Sequence, residues 1–208
     1  MMDLALFDFD GTMTDTDSFS TFIHLSTSNR RKLAFALPLL SAKWGYQSGL
    51  MSASSARHIA LKYALGGKDA KTMQQQGEWY AHTLLPGFIR PQAQRAIAWH
   101  RQRGDTLVLV SASLDLYLQP WTQAQNMQLL CSRVETRNGR LTGNYLGKDC
   151  CCAEKARRIR ETFDLAAFNA IHAYGDTSED SDMLALADHA WLAWRQITQS
   201  DKSASLQL

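Results

Sequence analysis

Three short apolar segments, each followed at once by polar residues, constrain the fold of this 208-residue chain more than any other feature. They cover residues 4–7, 106–110 and 170–174, and helical patterns separate them along the chain. Continuous apolar runs of this length are typical of strands that are buried on both faces of a parallel sheet. Strands that alternate with helices in this way predict an α/β protein with a doubly wound parallel sheet.

A helical block interrupts this alternation early in the chain. After the first segment, apolar residues recur at intervals of three and four over about 65 residues, until Pro86-Gly87 ends the pattern. The sequence therefore predicts a core formed by residues 1–15 and 86–208, with a helical insertion over residues 16–85.

The remaining elements follow from the same patterns. Helices are expected over residues 92–103, from about residue 114, and over 152–163 and 180–187, with a last strand over 189–194. Asn138-Gly139 stands between two short extended runs and predicts a β-hairpin. The tail from Ser200 is expected to fray.

Composition argues against several classes of function. A net charge of +2, without a basic stripe that alternates with aromatic residues, argues against a nucleic-acid partner. The N-terminus has no charged region or cleavage site of a secretory signal, so the four cysteines are expected to be reduced thiols in the cytoplasm.

The longest apolar stretch, residues 33–40, is too short to span a membrane. It lies between the basic run at 30–32 and the aromatic residues Trp44 and Tyr46, so an interfacial helix is conceivable. Packing inside the protein is the favoured interpretation, and contact with a membrane surface is therefore not expected.

Polar side chains with catalytic chemistry follow all three predicted strands. Asp8 and Asp10 follow the first strand, Ser111 follows the second, and Asp176 follows the third. Ligands of open α/β sheets bind beyond the carboxyl ends of the strands, so we expect these side chains to lie close together. Two carboxylates at the edge of an apolar core repel each other and lose solvation, and a divalent cation would offset both costs.

These residue types fit phosphoryl transfer. A carboxylate can attack phosphorus while a Mg²⁺ ion neutralises the phosphate and a hydroxyl and a lysine hold its other oxygens. A second carboxylate two residues away can protonate the leaving alkoxide and then deprotonate the attacking water. Taken singly, the serine and the aspartates also fit helix caps, and Lys155 fits a surface charge. Their order along the chain favours the catalytic interpretation.

Four motifs in this order resemble the haloacid dehalogenase (HAD) superfamily of phosphohydrolases. They are DFDGT at 8–12, VLVSAS at 108–113, CCAEKARRI at 151–159 and YGDTSED at 174–180, which match its motifs I to IV. The resemblance implies a Rossmann-like core and identifies the helical insertion as a C1 cap. The SAS and LTGNY contexts resemble subfamily IB, near phosphoserine phosphatase.

The resemblance also implies roles for single residues. Asp8 is the nucleophile and Asp10 the general acid–base. Asp8, the backbone carbonyl of Asp10 and Asp176 hold Mg²⁺, and Asp180 positions the metal shell.

Ser111 and Lys155 bind the phosphoryl group by the same resemblance. Lys148 is a rival for the motif III lysine, and Lys155 is preferred because a helix is predicted there.

The implied activity is Mg²⁺-dependent hydrolysis of a small phosphorylated metabolite through an aspartyl-phosphate. Asp17 stands near the position where phosphoserine phosphatases carry a glutamate toward the substrate amine. Phosphoserine phosphatases also carry a cap arginine that pairs with the substrate carboxylate. Arg57 lies near that position in the sequence but out of register with it. Glu179 stands where asparagine is common and adds negative charge near the phosphate. Phosphoserine is thus one candidate substrate, beside other small phosphomonoesters and a phospholipid-like headgroup.

Two other classes of protein use similar residues. A phospho-aspartate signalling module of the receiver type lacks an inserted cap and carries its phosphorylated aspartate on a middle strand. A phosphotransferase or mutase differs only in the acceptor of the phosphoryl group. Asp10, at the position two after the nucleophile, favours rapid turnover over a stored phosphate.

Overall fold

The structure is a computed structural model that describes residues 2–198, so the tail predicted to fray lies outside the described residues. The strands are β1 (Leu4–Phe7), β2 (Thr106–Leu114), β3 (Gln128–Ser132), β4 (Val134–Arg137), β5 (Arg140–Tyr145), β6 (Ile171–Gly175), β7 (His189–Leu192) and β8 (Arg195–Ile197). The helices are α1 (Ser18–Ser26), α2 (Asn29–Ala34), α3 (Ala36–Gln47), α4 (Ala53–Leu65), α5 (Ala70–Thr83), α6 (Pro91–Arg103), α7 (Asp115–Ala124), α8 (Ala153–Thr162) and α9 (Ser181–Leu184).

Six strands form one sheet in the order β3-β2-β1-β6-β7-β8, in which only β8 runs antiparallel to its neighbour. Phe7 at the end of β1 pairs with Leu109 in β2 and with Tyr174 in β6. The carboxyl ends of β1, β2 and β6 therefore meet at the same edge of the sheet, where the predicted site residues follow.

Both faces of β1 are buried, as its continuous apolar run predicts. Ala5 and Phe7 belong to the hydrophobic cluster that α6 and α7 cover. Leu4 and Leu6 point to the opposite cluster, which α8 and α9 cover. Helices on both faces of a mostly parallel sheet confirm the predicted doubly wound α/β fold.

The predicted hairpin is confirmed as β4 and β5, with Asn138 and Gly139 at its turn. Both turn residues have positive φ angles, +50° and +73°, which Asn and Gly adopt at low cost. The extended run before it forms the separate strand β3 beside β2. The sequence pattern did not separate β3 from the hairpin because only Arg133 stands between them.

The insertion between β1 and α6 contains the five helices α1 to α5 and no regular strand within its described residues. Four of the five begin at a side chain that accepts a hydrogen bond from a backbone amide of the first turn; these N-cap residues are Asp17, Ser28, Ser52 and Asp69. Such caps satisfy amides that have no partner within the helix. The local sequence thus explains where these helices start.

The two ends of the insertion lie side by side. Thr14 pairs with Ile89 in an isolated antiparallel bridge, and the amide of Arg90 donates to the carbonyl of Met13 at 2.8 Å. The β4–β5 hairpin also contacts the insertion, because the amide of Gly67 donates to the carbonyl of Leu141 at 2.7 Å. We propose that residues 16–85 form a cap on a core of residues 1–15 and 86–208. The β4–β5 hairpin is a second segment of the chain that contacts this cap.

The insertion shares its hydrophobic cluster with the core. Phe22 and Tyr80 pack on Tyr117 of α7, with ring centroids 4.9 and 5.2 Å apart. A Cβ atom at Gly77 would lie 2.0 Å from the carbonyl oxygen of Leu116, so the close contact of α5 with α7 requires glycine. The insertion is therefore packed directly on α7, the helix that follows β2 and covers one face of the sheet.

The prediction that residues 33–40 pack inside the protein is wrong for Leu33, Leu37 and Leu40, whose side chains are exposed. These helices use another face for packing, as the ring of Phe35 lies 5.0 Å from that of Tyr63 in α4. The three leucines lie on the exposed side of these two helices. Within residues 2–198, no helix combines the length and apolar character needed to cross a bilayer.

Candidate active site

Asp8 lies at the end of the buried strand β1. Its backbone amide donates to the carbonyl of Tyr174 at 2.9 Å, which continues the pairing of β1 with β6 by one residue. Only 7% of Asp8 is exposed. Lys155 Nζ donates to Asp8 Oδ1 at 2.5 Å, so the carboxylate has a buried cationic partner.

Lys155 reaches the site from the first turn of α8. Its ammonium also donates to Asp180 Oδ1 at 2.6 Å. A buried charge is tolerated when opposite charges and hydrogen bonds surround it, as here. Lys148, the rival for this position, is exposed. The structure therefore brings Lys155, and not Lys148, to the predicted nucleophile.

The loop after β6 carries Asp176 and Asp180. Asp180 Oδ2 accepts hydrogen bonds from the backbone amides of Asp176 at 3.0 Å and Thr177 at 3.3 Å, which fixes the loop. Asp176 Oδ1 accepts a hydrogen bond from Thr12 Oγ1 at 3.0 Å. Gly11 makes this approach possible, because a Cβ atom there would lie 2.1 Å from Asp176 Oδ2.

Oxygen atoms from Asp8, Asp176 and Asp180 lie within 4.8 Å of one another. Burial raises the pKa of Asp8 to about 8; the charge of Asp180 adds to this rise, and Lys155 opposes it. Burial also raises the pKa of Asp176. Clustered carboxylate oxygens are the ligands that Mg²⁺ prefers, and a cation would favour their charged forms. The donor set therefore fits the predicted magnesium ion, and Asp180 contributes a carboxylate oxygen to the same cluster as Asp8 and Asp176.

Asp10 has a different set of partners. The backbone amide of Ser18, at the start of α1, donates to Asp10 Oδ1 at 2.7 Å, and Ser113 Oγ donates to Asp10 Oδ2. Burial raises the pKa of Asp10, while the hydrogen bonds from Ser113 and Ser18 oppose the rise. A fixed carboxyl group with a raised pKa is suited to give and take a proton.

Ser111 is buried in β2, two residues beyond the residue that pairs with Phe7. Its Oγ accepts a hydrogen bond from the amide of Ser113 at 3.0 Å. Accepting this bond leaves the hydroxyl hydrogen to be donated elsewhere, as a phosphate oxygen would require. The phosphate-binding roles of Ser111 and Lys155 remain predictions.

Asp17 is the N-cap of α1, where its Oδ1 accepts a hydrogen bond from the amide of Ser20 at 2.8 Å. The side chain is exposed, and its charge contributes to the raised pKa of Asp10, after burial. A contact between Asp17 and a substrate amine remains a prediction beside this capping role.

Arg57, the candidate for a substrate carboxylate, is already paired. Its Nη2 lies 3.0 Å from Asp149 Oδ2 and 3.1 Å from Glu179 Oε2. The guanidinium thus joins α4 of the insertion to the loop after β6. The charge of Glu179, expected to add repulsion near the phosphate, is balanced by this contact.

Sequence reasoning assigned no role to Thr12, Ser18, Ser113 or Asp149. Thr12 and Ser113 lie within the motifs DFDGT and VLVSAS, so the motifs contained a signal for them. The contact of Ser18 with Asp10 spans eight residues and that of Asp149 with Arg57 spans 92, and the sequence pattern shows neither.

Two known proteins are similar to this chain in sequence. The Caulobacter vibrioides protein CicA is 32% identical over 193 residues, which cover 89% of this chain and 83% of CicA. A histidinol-phosphatase of Neisseria meningitidis is 22% identical over 195 residues, which cover 89% of this chain and 87% of that protein.

Solved structures share the fold. A Bordetella pertussis protein of unknown function matches with a TM-score of 0.82 and 21% identity, over 100% of this chain and 96% of the other. A phosphoserine phosphatase with bound substrate matches with a TM-score of 0.66 and 14% identity, over 91% of this chain and 85% of the other.

A family model described as haloacid dehalogenase-like hydrolase matches residues 5–185, a range that contains all four motifs. The predictions of a HAD-type fold and of an enzyme are confirmed. The chain belongs to the haloacid dehalogenase-like hydrolase family.

Proposed function

We propose that this chain is a Mg²⁺-dependent phosphomonoester hydrolase that works through an aspartyl-phosphate on Asp8. The observation that carries the proposal is the buried contact of Asp8 with Lys155, next to the carboxylates of Asp176 and Asp180. An anionic nucleophile beside a fixed cation and a cation-binding acidic cluster is what attack on a phosphate dianion requires.

Asp8 and Asp176, with the backbone carbonyl of Asp10, would hold Mg²⁺, which when bound neutralises charge on the phosphoryl oxygens. The Asp8 carboxylate attacks phosphorus as the bond from phosphorus to the leaving oxygen breaks. Lys155 and the hydroxyl of Ser111 hold the transferred group.

Proton transfer falls to Asp10, whose carboxyl group is held by Ser18 and Ser113. Asp10 gives its proton to the leaving alkoxide in the first step. In the second step it takes a proton from water, which attacks phosphorus, releases inorganic phosphate and restores the Asp8 carboxylate.

We propose a small phosphorylated metabolite as the substrate and place the chain in subfamily IB, with the insertion as a C1 cap. The names of its relatives make phosphoserine and histidinol phosphate the first compounds to test. Asp17 offers a carboxylate for an amine on either compound. Arg57 is engaged by Asp149 and Glu179, which makes the carboxylate of phosphoserine harder to accommodate.

The test is a phosphate-release screen over amino-acid, sugar, nucleotide and lipid-headgroup phosphates. Mg²⁺ should support hydrolysis, and EDTA should abolish it until Mg²⁺ is restored. The variant Asp176→Asn should require more Mg²⁺ and turn over slowly, because a cation ligand is lost. Full activity in EDTA would contradict the metal assignment, and transfer of phosphate to a second sugar instead of water would identify a phosphotransferase.

A further inference from the structure

Charge is distributed unevenly along this chain. Residues 18–68 contain seven Lys or Arg residues and no Asp or Glu, whereas the whole chain has a net charge of only +2. Residues 18–68 therefore have a net charge of +7, and the rest of the chain has a net charge of −5. An asymmetry of this kind points to an anionic partner for the basic segment.

An apolar stripe runs along the same segment. Leu37, Leu40 and Trp44 of α3 follow one another at intervals of three and four residues, the spacing of one helical face, and Leu33 precedes them in α2. In chain order from Leu33, their side chains are 81%, 82%, 62% and 67% exposed. A contiguous exposed apolar patch is uncommon on a protein surface that has no partner, in contrast to scattered apolar residues.

The stripe belongs to helices that are fixed on the protein by their other face. Arg31 Nε donates to the carbonyl of Tyr63 at 2.7 Å, and the Arg31 guanidinium lies 5.5 Å from the ring centre of Phe35. The leucines are thus exposed although α2 and α3 are packed on the protein, and their apolar side chains face outward.

We propose that α2 and α3 form a docking surface for an anionic phospholipid bilayer. The apolar stripe would enter the boundary between headgroups and acyl chains, where Trp44 is favoured by its amphipathic ring. Arg30 and Lys32, at the start of the stripe, would meet the phosphate groups. Residues 18–68 contain no acidic residue, so this segment has no negative charge that would repel the phosphate groups.

A second copy of this chain fits the surface less well. Two such faces would bring like charges together, which opposes association. The proposal concerns attachment of the protein and does not depend on which phosphomonoester it hydrolyses, so its test needs no activity measurement.

The experiment is co-sedimentation of the full chain with vesicles of phosphatidylcholine, with or without phosphatidylglycerol. We expect at least about tenfold stronger partitioning to the anionic vesicles, which weakens as the salt concentration rises. The double variant Arg30→Gln/Lys32→Gln should lose most of this preference.

A matched pair of variants tests whether binding to vesicles depends on the stripe or on exposed apolar residues in general. Leu37→Ser/Trp44→Ser removes one leucine and one tryptophan from the stripe and should weaken partitioning at least about tenfold. Leu146→Ser/Trp79→Ser removes the same residue types, 49% and 50% exposed, from elsewhere and should leave it unchanged. Circular dichroism checks that both variants are folded.

Three results would overturn the proposal. The first is no binding to anionic vesicles, and the second is an equal loss in the two matched variants. The third is a lipid-free dimer that Leu37→Ser/Trp44→Ser abolishes, since the surface would then be a contact between copies of the chain.

Discussion

Asp8 and Asp10 are only two residues apart, yet the fold gives them different partners. Asp8 faces the ammonium of Lys155, whereas Asp10 receives hydrogen bonds from Ser18 and Ser113. A charged partner favours the carboxylate that a nucleophile needs. Neutral donors orient a carboxyl group that must both give and accept a proton.

This difference predicts different phenotypes for two variants. Asp8→Asn should lose activity and any covalent intermediate, because an amide is a poor nucleophile. Asp10→Asn should slow both steps, and with p-nitrophenyl phosphate, whose leaving group needs no proton, the second step should suffer more. General acid–base groups contribute roughly 10²–10⁴-fold, so phosphoenzyme should accumulate in Asp10→Asn.

Rapid acid quench with mass spectrometry measures this intermediate. The added mass should map to the peptide that contains Asp8. Phosphate on Ser111, or wild-type rates in Asp8→Asn, would contradict the assigned roles.

Asp17 combines two roles that substitutions can separate. Asp17→Ala removes both the cap of α1 and the charge, whereas Asp17→Ser keeps a capping oxygen. Loss of an N-cap costs about 1 kcal/mol, so only the alanine variant should lower the free energy of unfolding. If Asp17 meets a substrate amine, both variants should lower kcat/KM for amine-bearing phosphates relative to p-nitrophenyl phosphate. An unchanged ranking in Asp17→Ser would restrict Asp17 to the cap.

At the scale of elements, Arg57 links α4 to Asp149, in the segment before α8, and to Glu179, in the loop after β6. Arg57→Met should leave Asp149 without its charged partner and lower the free energy of unfolding by about 1–3 kcal/mol. Urea denaturation measures this change. The control is Arg137→Met, because the 75% exposed Arg137 side chain pairs with Glu135 at the surface and should contribute less than about 1 kcal/mol.

The two interpretations of Arg57 also differ in kinetics. As a link between elements, Arg57 should affect stability while KM for phosphoserine and for p-nitrophenyl phosphate changes alike. A rise in KM confined to phosphoserine, with unchanged stability, would show that Arg57 binds the substrate carboxylate.

These elements show what a sequence can reveal. The strands β1, β2 and β6 are predictable because a strand buried on both faces has a mostly apolar run, which in β6 is interrupted only by His172. The predicted helix favours Lys155 over Lys148 as the motif III lysine, and in the structure Lys155 contacts Asp8. The partners of Arg57 lie 92 and 122 residues away along the chain, and no local pattern contains such distances.

The prediction that residues 33–40 pack inside the protein is wrong for a related reason. Apolar residues at helical spacing indicate a face that needs a partner, but the sequence does not say whether that partner lies within the chain. Leu33 and Leu37 have the spacing of core residues, and tertiary packing left their face outside.

At the scale of the whole molecule, buried ionisable groups couple stability to pH. His100 Nδ1 lies 2.8 Å from Asp105 Oδ2, and His172 Nε2 lies 3.1 Å from Asp3 Oδ2. Burial lowers the pKa of both histidines, although hydrogen bonds to the carboxylates oppose this. Both therefore stay neutral in the fold at pH values where an unfolded histidine takes up a proton.

The sign of the effect follows from linkage. A histidine with a lowered pKa in the folded state stabilises the fold fully above its unfolded pKa, about 6.5, and this contribution is lost as the pH falls below that value. Asp8 acts in the opposite direction, because its raised pKa favours the fold at lower pH. The histidine contribution must therefore be measured as a difference between variants at one Mg²⁺ concentration.

We expect the stability difference between wild type and His172→Gln to shrink as the pH falls from 7.5 to 5, because glutamine does not titrate in this range. Urea denaturation across this range measures it. His82→Gln serves as the control, since His82 is exposed and its difference from wild type should stay constant. A constant difference for His172→Gln as well would mean that His172 takes up its proton equally in the folded and unfolded chain, and that the buried pair with Asp3 does not couple folding to pH.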